Sequence, residues 1–137
     1  MPFPVDVAWV EATQGKLGVT FPLGFVARML RENGGEIHAG GDVWELFPFR
    51  DASDKKRIKR TCNDIVLETK NARSWPDFPP NGVAIGSNGT GDQLILVPTA
   101  SDASRLHDAV YWWDHETCGL ERVAEDFTEL TGRNHRR

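Results

Sequence analysis

The sequence predicts an α+β fold: a single domain with a mainly antiparallel mixed sheet of about four to six strands and flanking helices. Three observations predict it. Helical periodicity dominates the first half, extended apolar runs dominate residues 83–115, and hairpin-type turns rather than helical crossovers join those runs. The chain has 137 residues, the size of one domain, with 39% hydrophobic and 26% charged residues, the usage of an ordinary globular protein. No period of repeat length recurs.

The first helix is expected over Val5 to Thr13, with Val5, Ala8, Trp9 and Ala12 on one stripe. The second is expected from Pro22 to Asn33. Proline suits its first position, Leu23, Val26 or Ala27, and Leu30 repeat at helical spacing, and Asn33-Gly34-Gly35 ends it. Gly41 to Phe49 reads as a strand, with Val43, Glu45 and Phe47 on one face and Trp44 and Leu46 on the other. Ser53 can cap a third helix reaching about Ala72, along which Ile58, Cys62, Ile65, Thr69 and Ala72 form an apolar stripe. Trp75 to Asn81 holds three prolines and is a loop. Val83-Ala84-Ile85 and Leu94 to Val97 flank an Asn-Gly turn and form a hairpin. Ala109 to His115 is a further strand, paired with Leu94 to Val97 near the sheet centre. Thr117-Cys118-Gly119 turns out of it, and Val123, Ala124, Phe127 and Leu130 face a last short helix. The domain spans 1–132, and 133–137 is a basic tail.

Several residues suggest chemistry. The glycine-rich run Gly86 to Asp92 has the order Gly-x-x-Gly-x-Gly and precedes a strand, whereas a phosphate cradle needs a helix N-terminus behind it. It reads as a strand connection. Asp114-His115-Glu116 is the densest polar group; strand alternation would place its two carboxylates on one face and His115 on the other, a poor metal site. A turn and a partner contact remain as its readings. Cys62 and Cys118 lie far apart without ligand spacing and read as small buried hydrophobes. No nucleophile elbow, acid–base pair or cofactor motif stands out, so the expectation is a protein without catalysis, cofactor or metal. Trp112-Trp113 points to opposite sheet faces, so one indole is near the surface unless both faces are covered.

Charge distribution addresses partners. The net charge is −4, but Arg50 to Arg73 carries a local +4, while Asp77 to Leu130 has ten acids against two arginines, a local −8. That half attracts a basic partner and repels a phosphate backbone, so no nucleic-acid partner is expected. The apolar runs are too short to span a membrane, and no signal peptide opens the chain, so the expected location is cytoplasmic.

Taken together, the motifs resemble the SUKH superfamily. Pro22 to Gly35 (PLGFVARMLRENGG) is similar to its early helix ending in Asn-Gly-Gly, and Gly41 to Phe49 (GDVWELFPF) to its first strand. Ala84 to Leu96 (AIGSNGTGDQLIL) resembles its Gly-Asp hairpin, and Val110 to Glu116 (VYWWDHE) with VAEDFTEL resembles its closing strand and helix. The resemblance implies an α+β fold in which Gly34, Gly35, Gly91, Asp92 and Trp113 are mainly fold-determining. It also implies a bacterial immunity protein that binds and neutralises a cognate polymorphic or contact-dependent toxin, many of which are nucleases. The length is that of the bacterial members rather than the fungal cell-wall-assembly regulators. The alternative is a non-catalytic adaptor or regulatory domain. On either reading, the expected partner-binding residues are Asp92, Trp113, Asp114 and Glu116. They combine the acidic charge that steers a basic toxin with an indole that anchors it.

Overall fold

The computed structural model describes residues 2–130, so the basic tail expected at 133–137 lies outside the described residues. Helix α1 (Val7–Leu17) begins where the Asp6 carboxylate accepts from the Ala8 N–H, and it buries Val10 and Thr13 rather than the expected Ala8 and Ala12. Helix α2 (Leu23–Arg31) buries Phe25 and Met29. Its inward stripe is one step removed from the expected one, which leaves Leu23 in solvent.

The chain then enters β1 (Gly35–Ala39), a strand not expected from the sequence, and returns as β2 (Asp42–Leu46). The two-residue connection Gly40-Gly41 has φ of +60° and +80°, the geometry that lets twisted strands join tightly. Trp44 and Leu46 are buried while Val43 and Glu45 are exposed, as alternation requires.

The expected third helix is two. Helices α3 (Lys55–Arg60) and α4 (Ile65–Ala72) are separated because Thr61 turns its hydroxyl back onto Arg57 O at 2.8 Å and accepts from Asp51 N–H at 3.0 Å. Asp64 then caps a new helix through the Leu67 N–H. Ile58 is therefore 41% exposed, and Cys62 is exposed rather than core; Cys118 is half-buried. Thr69 of α4 accepts from Ala84 N–H at 3.0 Å, which ties the helix to the sheet.

Strands β3 (Val83–Ser87), β4 (Gln93–Leu96), β5 (Val110–Trp113) and β6 (Leu120–Ala124) complete a six-stranded antiparallel sheet in the order β1-β2-β3-β4-β5-β6. β4 and β5 pair as expected, with Leu94 opposite Trp112. The stretch read as a last helix is β6 followed by a 3-10 turn, Phe127–Glu129, whose Phe127 packs on Phe25 at 5.0 Å. Register shifts at Ala84/Gly86 and Val110/Tyr111 let the sheet curl. Trp44 on β2 thereby meets Trp112 on β5 edge-to-face at 4.9 Å. No helix among the described residues is long and apolar enough to cross a membrane.

Candidate partner-binding site

The β5–β6 loop builds the site. Strand β5 ends at Trp113, and Asp114 folds the chain over: its Oδ1 accepts from the N–H groups of Glu116 at 2.8 Å and Thr117 at 3.2 Å. Its own N–H donates to Gly119 O, and Cys118 N–H donates back to Asp114 O. Because the turn begins at Asp114, strand alternation does not hold beyond Trp113, and His115 is not carried to the far face.

His115 instead meets Asp92, which comes from the end of the β3–β4 connection. The Asp92 carboxylate accepts from Trp112 Nε1 at 2.9 Å and His115 N–H at 3.1 Å, and its Oδ1 lies 2.6 Å from His115 Nδ1. The imidazole packs so tightly over Gly91 that a Cβ there would stand 3.0 Å from the ring. Trp75 closes the other side at 5.6 Å. Burial acts to raise the Asp92 carboxyl, but the hydrogen bonds from His115 and Trp112 outweigh it, so its pKa lies below the ordinary carboxylate value. The same bond raises the His115 imidazole against the opposing effect of burial. Nearby, burial and the Asp77 and Asp114 carboxylates push the Cys118 thiol up, the reverse of an activated nucleophile.

The four residues expected at the site divide by role. Trp113 is 1% exposed and packs on Phe78 at 5.0 Å, so it is a core residue and cannot anchor a partner. Phe78 and Trp75 cover the face of β5 that carries Trp113, so this indole is lost from the surface. Asp92 is buried and spends its oxygens on Trp112 and His115. Asp114 is half-buried and braces the loop, and Glu116 is exposed.

Of the two adjacent indoles, the one that reaches the surface is Trp112. It lines a cavity of about 340 Å³ with Asp114, Thr117, Gly119, Leu120 and Glu121. Leu120, on the neighbouring strand, is 45% exposed. Trp112 and Asp114 share a strand face in the sequence pattern, a signal that could have found Trp112. Leu120 and Glu121 were hidden by the helical reading of their segment.

Ligand-capable atoms of Asp92, Asp114 and His115 all lie within 4.8 Å of one another, contrary to the separation expected from alternation. Within that cluster Asp92 Oδ1 and His115 Nδ1 are joined at 2.6 Å, and Asp92 Oδ2 accepts from Trp112 Nε1.

The SMI1 / KNR4 family (SUKH-1) model matches residues 4–133. The chain belongs to the SUKH-1 family. Searches of curated proteins and of solved structures returned no match. Within this SUKH-1 chain the Gly-Asp pair of the second hairpin has a visible structural task. Gly91 leaves room for the His115 ring, and Asp92 ties β5, its loop and Trp112 into one unit.

Proposed function

We propose that this SUKH-1 protein is an immunity protein that neutralises a basic cognate toxin by stoichiometric binding at the β5–β6 surface. One observation carries the reading. A half-buried indole, Trp112, and an exposed leucine, Leu120, line one cavity with Asp114 and Glu121, and exposed Glu116 lies in the adjoining turn. An apolar centre with a charged rim is the anatomy of a specific protein interface. The Asp92 and Asp114 hydrogen bonds hold the surface in shape before binding, which lowers the ordering cost. The −8 balance of Asp77 to Leu130 steers a basic partner to this side. Asp92 and Trp113 support the contact from behind it; Trp112, Asp114, Glu116, Leu120 and Glu121 make it.

The test is co-expression with a toxin domain encoded beside the gene. Wild-type protein restores growth and forms a one-to-one complex with the domain, while Trp112→Ala combined with Glu121→Lys abolishes both without unfolding the protein. A folded double variant that still protects cells refutes the assignment. Restoration of growth without a complex favours the adaptor reading.

A further inference from the structure

We propose that the outer edge of β6 accepts a basic, extended segment of the partner as an additional antiparallel or parallel strand. This rests on the reading of the acidic surface above and deepens it, because it specifies how the partner is held.

Among the described residues β6 is the last strand of the sheet and pairs only with β5. The Asp114 N–H to Gly119 O bond sets the alternation of the ladder, so the backbone N–H and C=O of Leu120 and Arg122 aim away from β5. Among the described residues no hydrogen bond reaches those groups from the outer side. Among the described residues nothing covers the edge either: Leu120, Glu121 and Arg122 are all exposed. Proteins that must not add strands guard their edges with lysine or other charges, proline, a β-bulge or a covering element. The bulge here lies between Arg122 and Ala124, opposite Val110 and Tyr111, and leaves Leu120, Glu121 and Arg122 in regular register. Leu120–Ala124 contains neither lysine nor proline.

Charge selects the occupant. Glu121 lies in the strand, and Glu116 and Glu125 flank it, all exposed. The one cation in the strand, Arg122, is bound to both Glu125 oxygens at 2.9 and 3.1 Å and lies over the Tyr111 ring. Its charge is therefore offset, and the edge presents a net acidic border. A second copy of this chain would set the same carboxylates against each other, which disfavours pairing of β6 with itself. A strand alternating lysine or arginine with apolar residues fits. Main-chain bonds would supply affinity, while the carboxylates and the Trp112–Leu120 surface would select side chains.

The test uses the whole protein and a short peptide alternating lysine with valine, with a peptide alternating glutamate with valine as control. Amide hydrogen exchange is read residue by residue. The lysine peptide at saturation slows exchange at Leu120 and Arg122 by at least about tenfold, and the glutamate peptide does not. Leu120→Ala keeps the effect because the N–H remains; Leu120→Pro removes the outward N–H and loses it. Absence of slowing in the wild-type protein overturns the proposal. So does equal slowing by both peptides, protection confined to β1, or concentration-dependent protection without peptide, which would assign the edge to a second copy. Neutralisation of the toxin with Leu120 and Arg122 still exchanging freely in the complex sinks the strand-addition proposal and spares the immunity reading. Protection by the lysine peptide without toxin neutralisation does the reverse.

Discussion

Replacing Trp113 separates a core indole from a contact indole. Trp113 is almost fully enclosed, with Phe78 at 5.0 Å and Trp75 at 6.3 Å, both edge-on. Trp113→Ala deletes that packing and leaves a large cavity, a loss of about 3–5 kcal/mol. For a chain of this size that is a fall of roughly 10–20 °C in Tm. The indole also carries a defect: its Nε1 is buried with no hydrogen-bond partner among the described residues. A buried unpaired donor costs about 1–3 kcal/mol, while the smaller ring of Trp113→Phe forfeits about 1–2 kcal/mol of burial. The two nearly cancel, so Trp113→Phe should lie within about 1 kcal/mol of wild type. Urea denaturation followed by far-UV circular dichroism measures both variants. A Phe variant as unstable as the Ala variant, or an Ala variant of wild-type stability, refutes the core assignment.

Three further outcomes follow from the same geometry. His115 has its pKa raised above its ordinary 6.5, so its contribution to stability is complete below that pH and is lost as pH rises through the folded value. Asp92 has its pKa lowered from 3.8, so its contribution is present above that pH and is lost as pH falls through its folded value. Denaturation midpoints should therefore decline at both ends of the scale, and Asp92→Asn should flatten the alkaline limb; an unchanged limb contradicts the pairing. Asn33→Ala strips partners from both the N–H and C=O of Phe49, each bonded at 2.8 Å, and should cost about 2–4 kcal/mol in chemical denaturation. Gly40→Ala places a methyl 2.9 Å from Val123 and 3.0 Å from the Trp112 ring at φ +60°, and should cost about 1–3 kcal/mol while loosening the curl, seen as a weaker near-UV tryptophan signal.

The sequence carried the fold class because its local signals agreed with the sheet. The proline-rich loop and the hairpin of β3 and β4 are fixed by backbone chemistry within a few residues, whereas the helix expected to run to Asn33 ends at Arg31, with Glu32 extended and the Asn33 side chain bonded to Phe49. The errors arise where one spacing serves two structures. Val123, Ala124, Phe127 and Leu130 satisfy a helical face, yet Ala124 and Phe127 reach the core from a strand and the turn after it. Strand β1 is short, and its Gly35–Ala39 run lies between two glycine pairs that mask it as a loop. The break between α3 and α4 depends on Thr61 finding Asp51, ten residues away. The site suffered most from distance. Asp92 lies 23 residues from His115 and 20 from Trp112, and no local pattern announces that the Gly-Asp turn will brace a later loop. Charge asymmetry directs a basic partner toward residues 77–130, where Glu116 and Glu121 are exposed, but only burial distinguishes Trp112 from Trp113.

The most direct measurement is calorimetric titration of the toxin domain encoded beside the gene into the wild-type protein and into the Glu116→Lys/Glu121→Lys variant. Both side chains are exposed, so the variant should keep its melting temperature. The wild-type protein should bind one-to-one with an affinity that falls as salt rises, and the variant should lose about 2 kcal/mol or more. A folded variant that binds with wild-type affinity and the same salt dependence would place the partner elsewhere on the molecule.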